Sequence, residues 1–174
     1  MATSVVPLAR RPARQALEAH YHEVRKIHLR DRSKQAAASG VGRGAYVLAD
    51  AQAGNPEVIL IASGSEVSLA VAAHEKLLAE GIRSRVVSMP SWEIFDHQPP
   101  EYRDSVLPPH VKARVALEQA STFGWQRYVG PDGRVIGMKT FGASAPLNEL
   151  QKRFGFEPGR VVAAAKELLE GRAP

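Results

Sequence analysis

The segment Val58 to Gly81 reads VILIASGSEVSLAVAAHEKLLAEG, and its centre, Ser63-Gly64-Ser65-Glu66, has the residue types of an anion-holding turn. An apolar run before it and a helical pattern after it would place backbone N–H groups and the positive end of a helix dipole at the carboxyl edge of a sheet. Open α/β folds bind ligands there. A small anion or a sugar phosphate is the ligand such a turn would take, through Ser63, Gly64 and Ser65. The same residues also make an ordinary helix start. Ser65 is an N-cap type, Gly64 permits a tight turn, and Glu66 in the first turn brings a negative charge that repels phosphate. Neither GxGxxG nor the P-loop pattern occurs, so the residues favour the helix start.

Other chemistry-bearing residues are scattered. Glu118 ends a predicted strand in LEQASTFGW, at the same sheet edge as Ser63. A carboxylate there serves a site, or caps the following helix through the N–H groups of Ser121 and Thr122. With no acid–base partner beside it, capping or an interface role is favoured. His20 and His22 fall on different faces of a predicted helix and make a poor metal pair, and His74 follows a helix face as a packed residue. His97 and His110 sit in proline-flanked loops without the arrangement of a triad. No catalytic or metal-ligating residue is assigned. Phe123, Trp125 and Tyr128, with the loop Thr140 to Pro146 that carries Phe141, combine aromatics and small residues in a way that suits close packing against another chain or domain. Core packing is the plainer alternative for them.

The elements that must position these residues follow from periodicity. Pro12 to Arg32 reads as an amphipathic helix, with Leu17, Tyr21, Val24 and Ile27 at three-and-four spacing. Ser33 to Gly44, SKQAAASGVGRG, reads as a linker. Beyond it strands and helices alternate. Ala45 to Ala49 suggests an edge strand, Val58 to Ala62 a strand covered on both faces, Glu66 to Glu80 a helix closed by Gly81, and Arg83 to Met89 a further strand. Short helices are predicted at Trp92 to Phe95 and Glu101 to Leu107, then a strand at Ala113 to Glu118, a helix at Phe123 to Val129 and a strand at Arg134 to Met138. Two final helices cover Leu147 to Phe154 and Pro158 to Glu170. Such alternation predicts a mostly parallel sheet with helices on both faces.

Composition narrows the function classes. The 174 residues suffice for one domain and an appendage; 44% are hydrophobic and 24% charged, and no apolar run approaches the roughly 18 residues of a membrane span. Without a signal-peptide core, the cytoplasm is the expected compartment. No cysteine is present, so disulfides, thiolate zinc sites and cysteine nucleophiles are excluded. The formal charge of +5 comes mainly from the stretch Arg10 to Arg43, while the charges from Ala45 onward nearly balance. No aromatic interleaving or recognition motif accompanies the basic stretch, so nucleic acid is not an expected partner.

Several stretches match one family in order. RGAYVL, VILIASGSEVSLAVAAHEKLLAEGIRSRVVSMPSWEIFD, YRDSVLPP, VALEQASTFGWQRYVG, VIGMKTFGASAPLNEL and FGFEPGRVVAAAKELL resemble the C-terminal domain of transketolase over about residues 43–170. The resemblance implies an α/β three-layer sandwich, whose five-stranded sheet is mostly parallel with one antiparallel strand, preceded here by the N-terminal helix. It divides the chain into a basic helix and linker, residues 1–42, and the domain, residues 43–174. The implied role is structural, in the dimer of a thiamine-diphosphate-dependent ketol transferase of the pentose phosphate pathway, with a homodimer or the missing transketolase domains as partners. Thiamine diphosphate and a divalent metal belong to the full-length family and are held by domains this chain lacks. The SRQNLP-like segment carrying the family's substrate-phosphate arginine is also missing, because the residues before Arg43 read SKQAAASGVG. No family catalytic residue is carried over, and the chain alone is expected to be inactive. Residues Gln15 to Asp31, QALEAHYHEVRKIHLRD, resemble the opening helix of glucose-6-phosphate isomerase, which implies a junction of two origins near Arg32 to Ser39.

Overall fold

The computed structural model describes residues 38–171, apart from 52 and 53. The predicted helix at Pro12 to Arg32, its isomerase resemblance and most of the predicted linker lie outside the described residues. Five strands form one sheet in the order β1-β3-β2-β4-β5, where β1 is Tyr46–Ala49, β2 Val58–Ala62, β3 Ser84–Ser88, β4 Arg114–Ser121 and β5 Arg134–Met138. β2 pairs in parallel with β3 and β4, and β4 with β5; β1 alone is antiparallel, against β3. The helices are α1 (Glu66–Ala79), α2 (Trp92–Asp96), α3 (Pro100–Val106), α4 (Gln126–Val129), α5 (Leu147–Phe154) and α6 (Pro158–Glu170).

The central strand explains the layering. All five residues of VILIA are buried, and their alternation sends Val58, Leu60 and Ala62 into one apolar cluster and Ile59 and Ile61 into another. The first cluster packs against α1 through Val67, Ala70, Ala73 and Leu77, and against α6 through Val161, Val162, Ala165 and Leu168. Those positions recur at helical spacing, which is why these two segments are helices lying on that face. The second cluster collects Phe95, Val106, Trp125 and Tyr128 from α2, α3, α4 and the loops between them. Three layers result, and the sheet is covered on both faces.

Helix α1 ends where the sequence says it must. Gly81 takes φ +77°, its N–H donates to the Leu78 carbonyl, and the Ile82 N–H donates to the Leu77 carbonyl, which together close the helix as a Schellman turn. The chain then enters β3 at once, so the parallel crossover from β2 is short.

Two differences from the sequence reading are physical. The last part of the expected linker is a 3-10 turn, Ala38–Arg43, packed into the domain. Gly44 explains it: φ is +81°, its carbonyl accepts from Ser91 N–H at 3.0 Å, and an added Cβ would collide with the backbone of Ser91 and Phe95. Strand β4 also runs past its predicted end, to Ser121, because β5 continues to pair with it beyond an irregularity between Glu118 and Ser121. The helix expected from Phe123 accordingly starts only at Gln126.

Candidate functional site

The carboxyl edge of the sheet brings the predicted residues Ser63, Gly64, Ser65 and Glu118 together. Ser63 Oγ donates to Glu118 Oε2 at 3.3 Å, across a sequence separation of 55 residues. Glu118 also accepts the Ala120 N–H at 3.0 Å. The carboxylate therefore holds its own strand extension and the β2–α1 turn. It does not cap a following helix through Ser121 and Thr122; the Ser121 hydroxyl instead accepts the Phe123 N–H at 3.1 Å. The reason is the longer β4, which moves the helix start away from Glu118.

Ser65 stands at the N-cap position of α1 but in helical backbone geometry, and its side chain caps nothing. Its hydroxyl donates to Glu66 Oε1 at 3.1 Å, while Ser68 Oγ donates to the Ser65 carbonyl at 2.7 Å. Glu66 is only 5% exposed. Burial pushes its carboxyl above the usual range, the Glu118 charge adds to the rise, and the Gln119 backbone amide opposes it. Two carboxylates thus occupy the positive end of α1. An incoming phosphate would meet both, so the arrangement gives no support to anion binding at Ser63, Gly64 and Ser65, and the turn is a helix start. The sequence names Glu66 as a repelling charge; that Glu118 stands beside it depends on β2 and β4 being adjacent strands.

A consequence can be measured. A carboxyl whose folded-state pKa is raised contributes stability that is complete below the unfolded value near 4.5 and is lost as pH rises through the folded value. The neutral isostere in Glu66→Gln keeps that contribution at pH 7. It is expected to stabilise the fold there by up to about 1 kcal/mol, with the gain vanishing near pH 4.5. Urea unfolding at the two pH values reads it, and a destabilised variant at neutral pH would refute the assignment.

The residues predicted to form an interface divide into two groups. Phe123 and Phe141 are 88% and 98% exposed. Trp125 and Tyr128 are 1% and 5% exposed, so they are core residues and not surface ones. Their i, i+3 spacing turns both inward, where Trp125 meets Trp92 edge-on at 5.1 Å between ring centroids and Tyr128 meets Phe95 at 6.2 Å. Because Ser121 pairs with Met138, Phe123 beyond β4 and Phe141 beyond β5 leave the sheet at the same edge. Beside Phe141 lies a groove of about 530 Å3 lined in part by Gln119, Ser121, Met138 and Phe141.

Among the described residues, the histidines build no reaction centre. His74 is buried with its Nδ1 2.7 Å from Ser84 Oγ, and burial lowers its pKa. Ser84 is fully buried, so the pair meets no substrate. His97 Nδ1 lies 2.6 Å from the Glu93 carbonyl in an exposed turn.

The family model for the transketolase-like TK C-terminal domain matches residues 44–157. This chain belongs to that family. It is 57% identical over 131 residues to transketolase 1 of Escherichia coli (strain K12), covering 75% of this chain and 20% of that protein. To the transketolase of Geobacillus stearothermophilus it is 50% identical over 133 residues, again covering 76% of this chain and 20% of the relative. The solved transketolase from Leishmania mexicana superposes with a TM-score of 0.71 at 42% identity, over 80% of this chain and 20% of that one. A structure described as a split-gene transketolase, an inactive β4 tetramer, shares the fold with a TM-score of 0.57 at 23% identity, over 74% of this chain and 43% of its own. The chain spans about one fifth of the length of the transketolases from E. coli and G. stearothermophilus.

Thiamine diphosphate and its metal do not fit the residues described. A diphosphate at the α1 N-terminus would face Glu66 and Glu118, and among the described residues no group of three histidines or carboxylates is arranged to hold a metal ion. Among those residues, too, no helix is long and apolar enough to cross a membrane.

Proposed function

We propose that this transketolase C-terminal domain is an assembly module that pairs with a second copy of itself, and that it carries out no ketol transfer alone. The observation that carries this reading is the exposure of two phenylalanines, Phe123 and Phe141, at one sheet edge. Large aromatic side chains in water are what interfaces bury. The chemistry served is ketol transfer by a thiamine-diphosphate enzyme of the cytoplasmic pentose phosphate pathway, with cofactor and metal held by other domains. Residues 43–174 form the module, and the basic residues 1–42 are an appended segment.

The solution mass tests it. Sedimentation equilibrium of the full chain is expected to give twice the 18.9 kDa chain mass, and Phe141→Asp to weaken the dimer by at least about a hundredfold, as loss of a central aromatic anchor does. Unchanged mass in the variant would remove this surface from the interface. A second reading is completion of a transketolase from separate chains. A wild-type chain that stays monomeric would overturn self-association and leave that reading.

A further inference from the structure

Phe123 and Phe141 are both exposed, but only Phe141 lies in a stretch that can be drawn out into extended chain. Every residue from Lys139 to Pro146 is exposed. Among the described residues, no backbone hydrogen bond ties 139–145 to the rest of the domain. Within the stretch the Thr140 hydroxyl donates to the Phe141 carbonyl at 3.4 Å, a long contact. Nothing lies within 4 Å of the position that a Cβ on Gly142 would take, so the backbone after Phe141 stands clear of the domain body. Chain with so few buried contacts and protected hydrogen bonds extends at little cost. Phe123 differs. Its N–H donates to Ser121 Oγ at 3.1 Å, Gly124 is held at φ +87° with the Trp92 ring against it, and Trp125 is in the core.

We propose that the Phe141–Gly142 peptide bond is a cleavage site for an endopeptidase of aromatic specificity, and that the cut yields a two-chain form in which residues 142–174 stay bound. Such an enzyme draws several extended residues into its cleft and seats the aromatic ring that precedes the scissile bond in an apolar pocket. Phe141, 98% exposed, presents that ring, and Gly142, Ala143 and Ser144 put no bulk on the far side of the bond. Water adds across the amide: the C–N bond breaks, Phe141 gains a carboxylate and Gly142 an ammonium group. The new end is anchored further along the chain. Phe156 is buried, Val161, Val162, Ala165 and Leu168 of α6 lie in the cluster shared with α1, and Lys166 Nζ donates to Glu80 Oε2 at 2.8 Å. Copies paired over Phe141 would shield the bond, so the inference concerns the unpaired chain and stands whether or not pairing occurs.

The test is brief digestion of the full chain with chymotrypsin at submicromolar protein, read by mass spectrometry in denaturant. Residues 142–174 are expected as the first C-terminal product; cuts within residues 1–37 change only the mass of the other piece. Phe141→Ala is expected to slow release of that product about tenfold or more, the scale for an emptied apolar pocket, and Phe123→Ala to leave it unchanged. Both substitutions trim exposed side chains, so both variants are expected to fold. On a sizing column without denaturant the two pieces of the cut wild type are expected to elute together. A chain that stays intact, a first C-terminal product that begins anywhere but Gly142, or a rate indifferent to Phe141→Ala would overturn the site, and pieces that separate would overturn the two-chain form.

Discussion

Replacing Trp125 with alanine is expected to destabilise the domain by about 4 kcal/mol, the range for emptying a buried aromatic site. The indole is the largest fully buried side chain, and it is wedged among rings: Trp92 at 5.1 Å and Tyr128 at 6.2 Å, with Trp92 and Tyr128 themselves 5.6 Å apart. Removing the central ring leaves its neighbours without partners on one side, and short helices such as α2 and α4 have little hydrogen bonding of their own with which to resist rearrangement. In a two-state thermal transition the loss reads as a drop of roughly 8 to 16 °C in Tm. Phenylalanine makes the comparison sharper. The Trp125 Nε1 is buried with no hydrogen-bond partner, so Trp125→Phe loses packing area but also removes an unsatisfied donor. Its cost is expected to stay near 1 kcal/mol. If phenylalanine proved as damaging as alanine, the indole N–H would have to be making a bond that this arrangement does not contain. Chemical denaturation of the three proteins, with midpoints compared at constant slope, separates the outcomes.

The case of Trp125 also shows what the sequence can and cannot say. Its spacing to Tyr128 is legible as one helix face, but residue type alone leaves open whether that face meets the core or a partner. The missing fact is Trp92, 33 positions earlier, which only the folding of α2 over the same sheet face brings into contact. Strand β2 was fully legible, because five consecutive β-branched and aliphatic residues between turn signals admit little else. The bounds of β5, α5 and α6 were legible for similar reasons: turn residues or prolines stand at their ends. The end of β4 was not, since its last residues, Gln119 to Ser121, look like loop and become strand only because β5 lies alongside. The candidate site follows the same division. Ser63 and Glu118 were legible as neighbours on one edge of an α/β sheet, whereas the burial of Glu66 depends on packing across it.

Arg114 likewise carries no motif, yet its removal is expected to cost nearly as much as the loss of Trp125. Its guanidinium donates to four backbone carbonyls: Val111 at 2.9 Å, Tyr128 at 2.8 Å, Leu107 at 3.1 Å and Pro108 at 2.9 Å. Leu107 follows the end of α3 and Tyr128 lies in the last turn of α4, so one side chain satisfies carbonyls that helix ends leave unpaired and sits at the negative ends of two helix dipoles, while the Pro108 carbonyl also takes the Val111 N–H. It thereby fixes the entry of β4 to the α2–α4 layer. Arg114→Ala leaves those acceptors to water and removes the charge, an expected loss of about 3 kcal/mol. Lysine keeps the charge but has a single nitrogen on a flexible stem, which cannot reach acceptors spread over the whole guanidinium fork; about half the loss is expected to remain. The pH dependence distinguishes this residue from Glu66. Burial lowers the Arg114 pKa, but a guanidinium so perturbed is still protonated throughout the range in which the domain would be studied. The cost of Arg114→Ala is therefore expected to be the same at about pH 5 and about pH 9, while the effect of Glu66→Gln changes with pH. A cost for Arg114→Ala that varied strongly between those limits would mean that Arg114 acts through a titrating partner, and not through the carbonyls it touches.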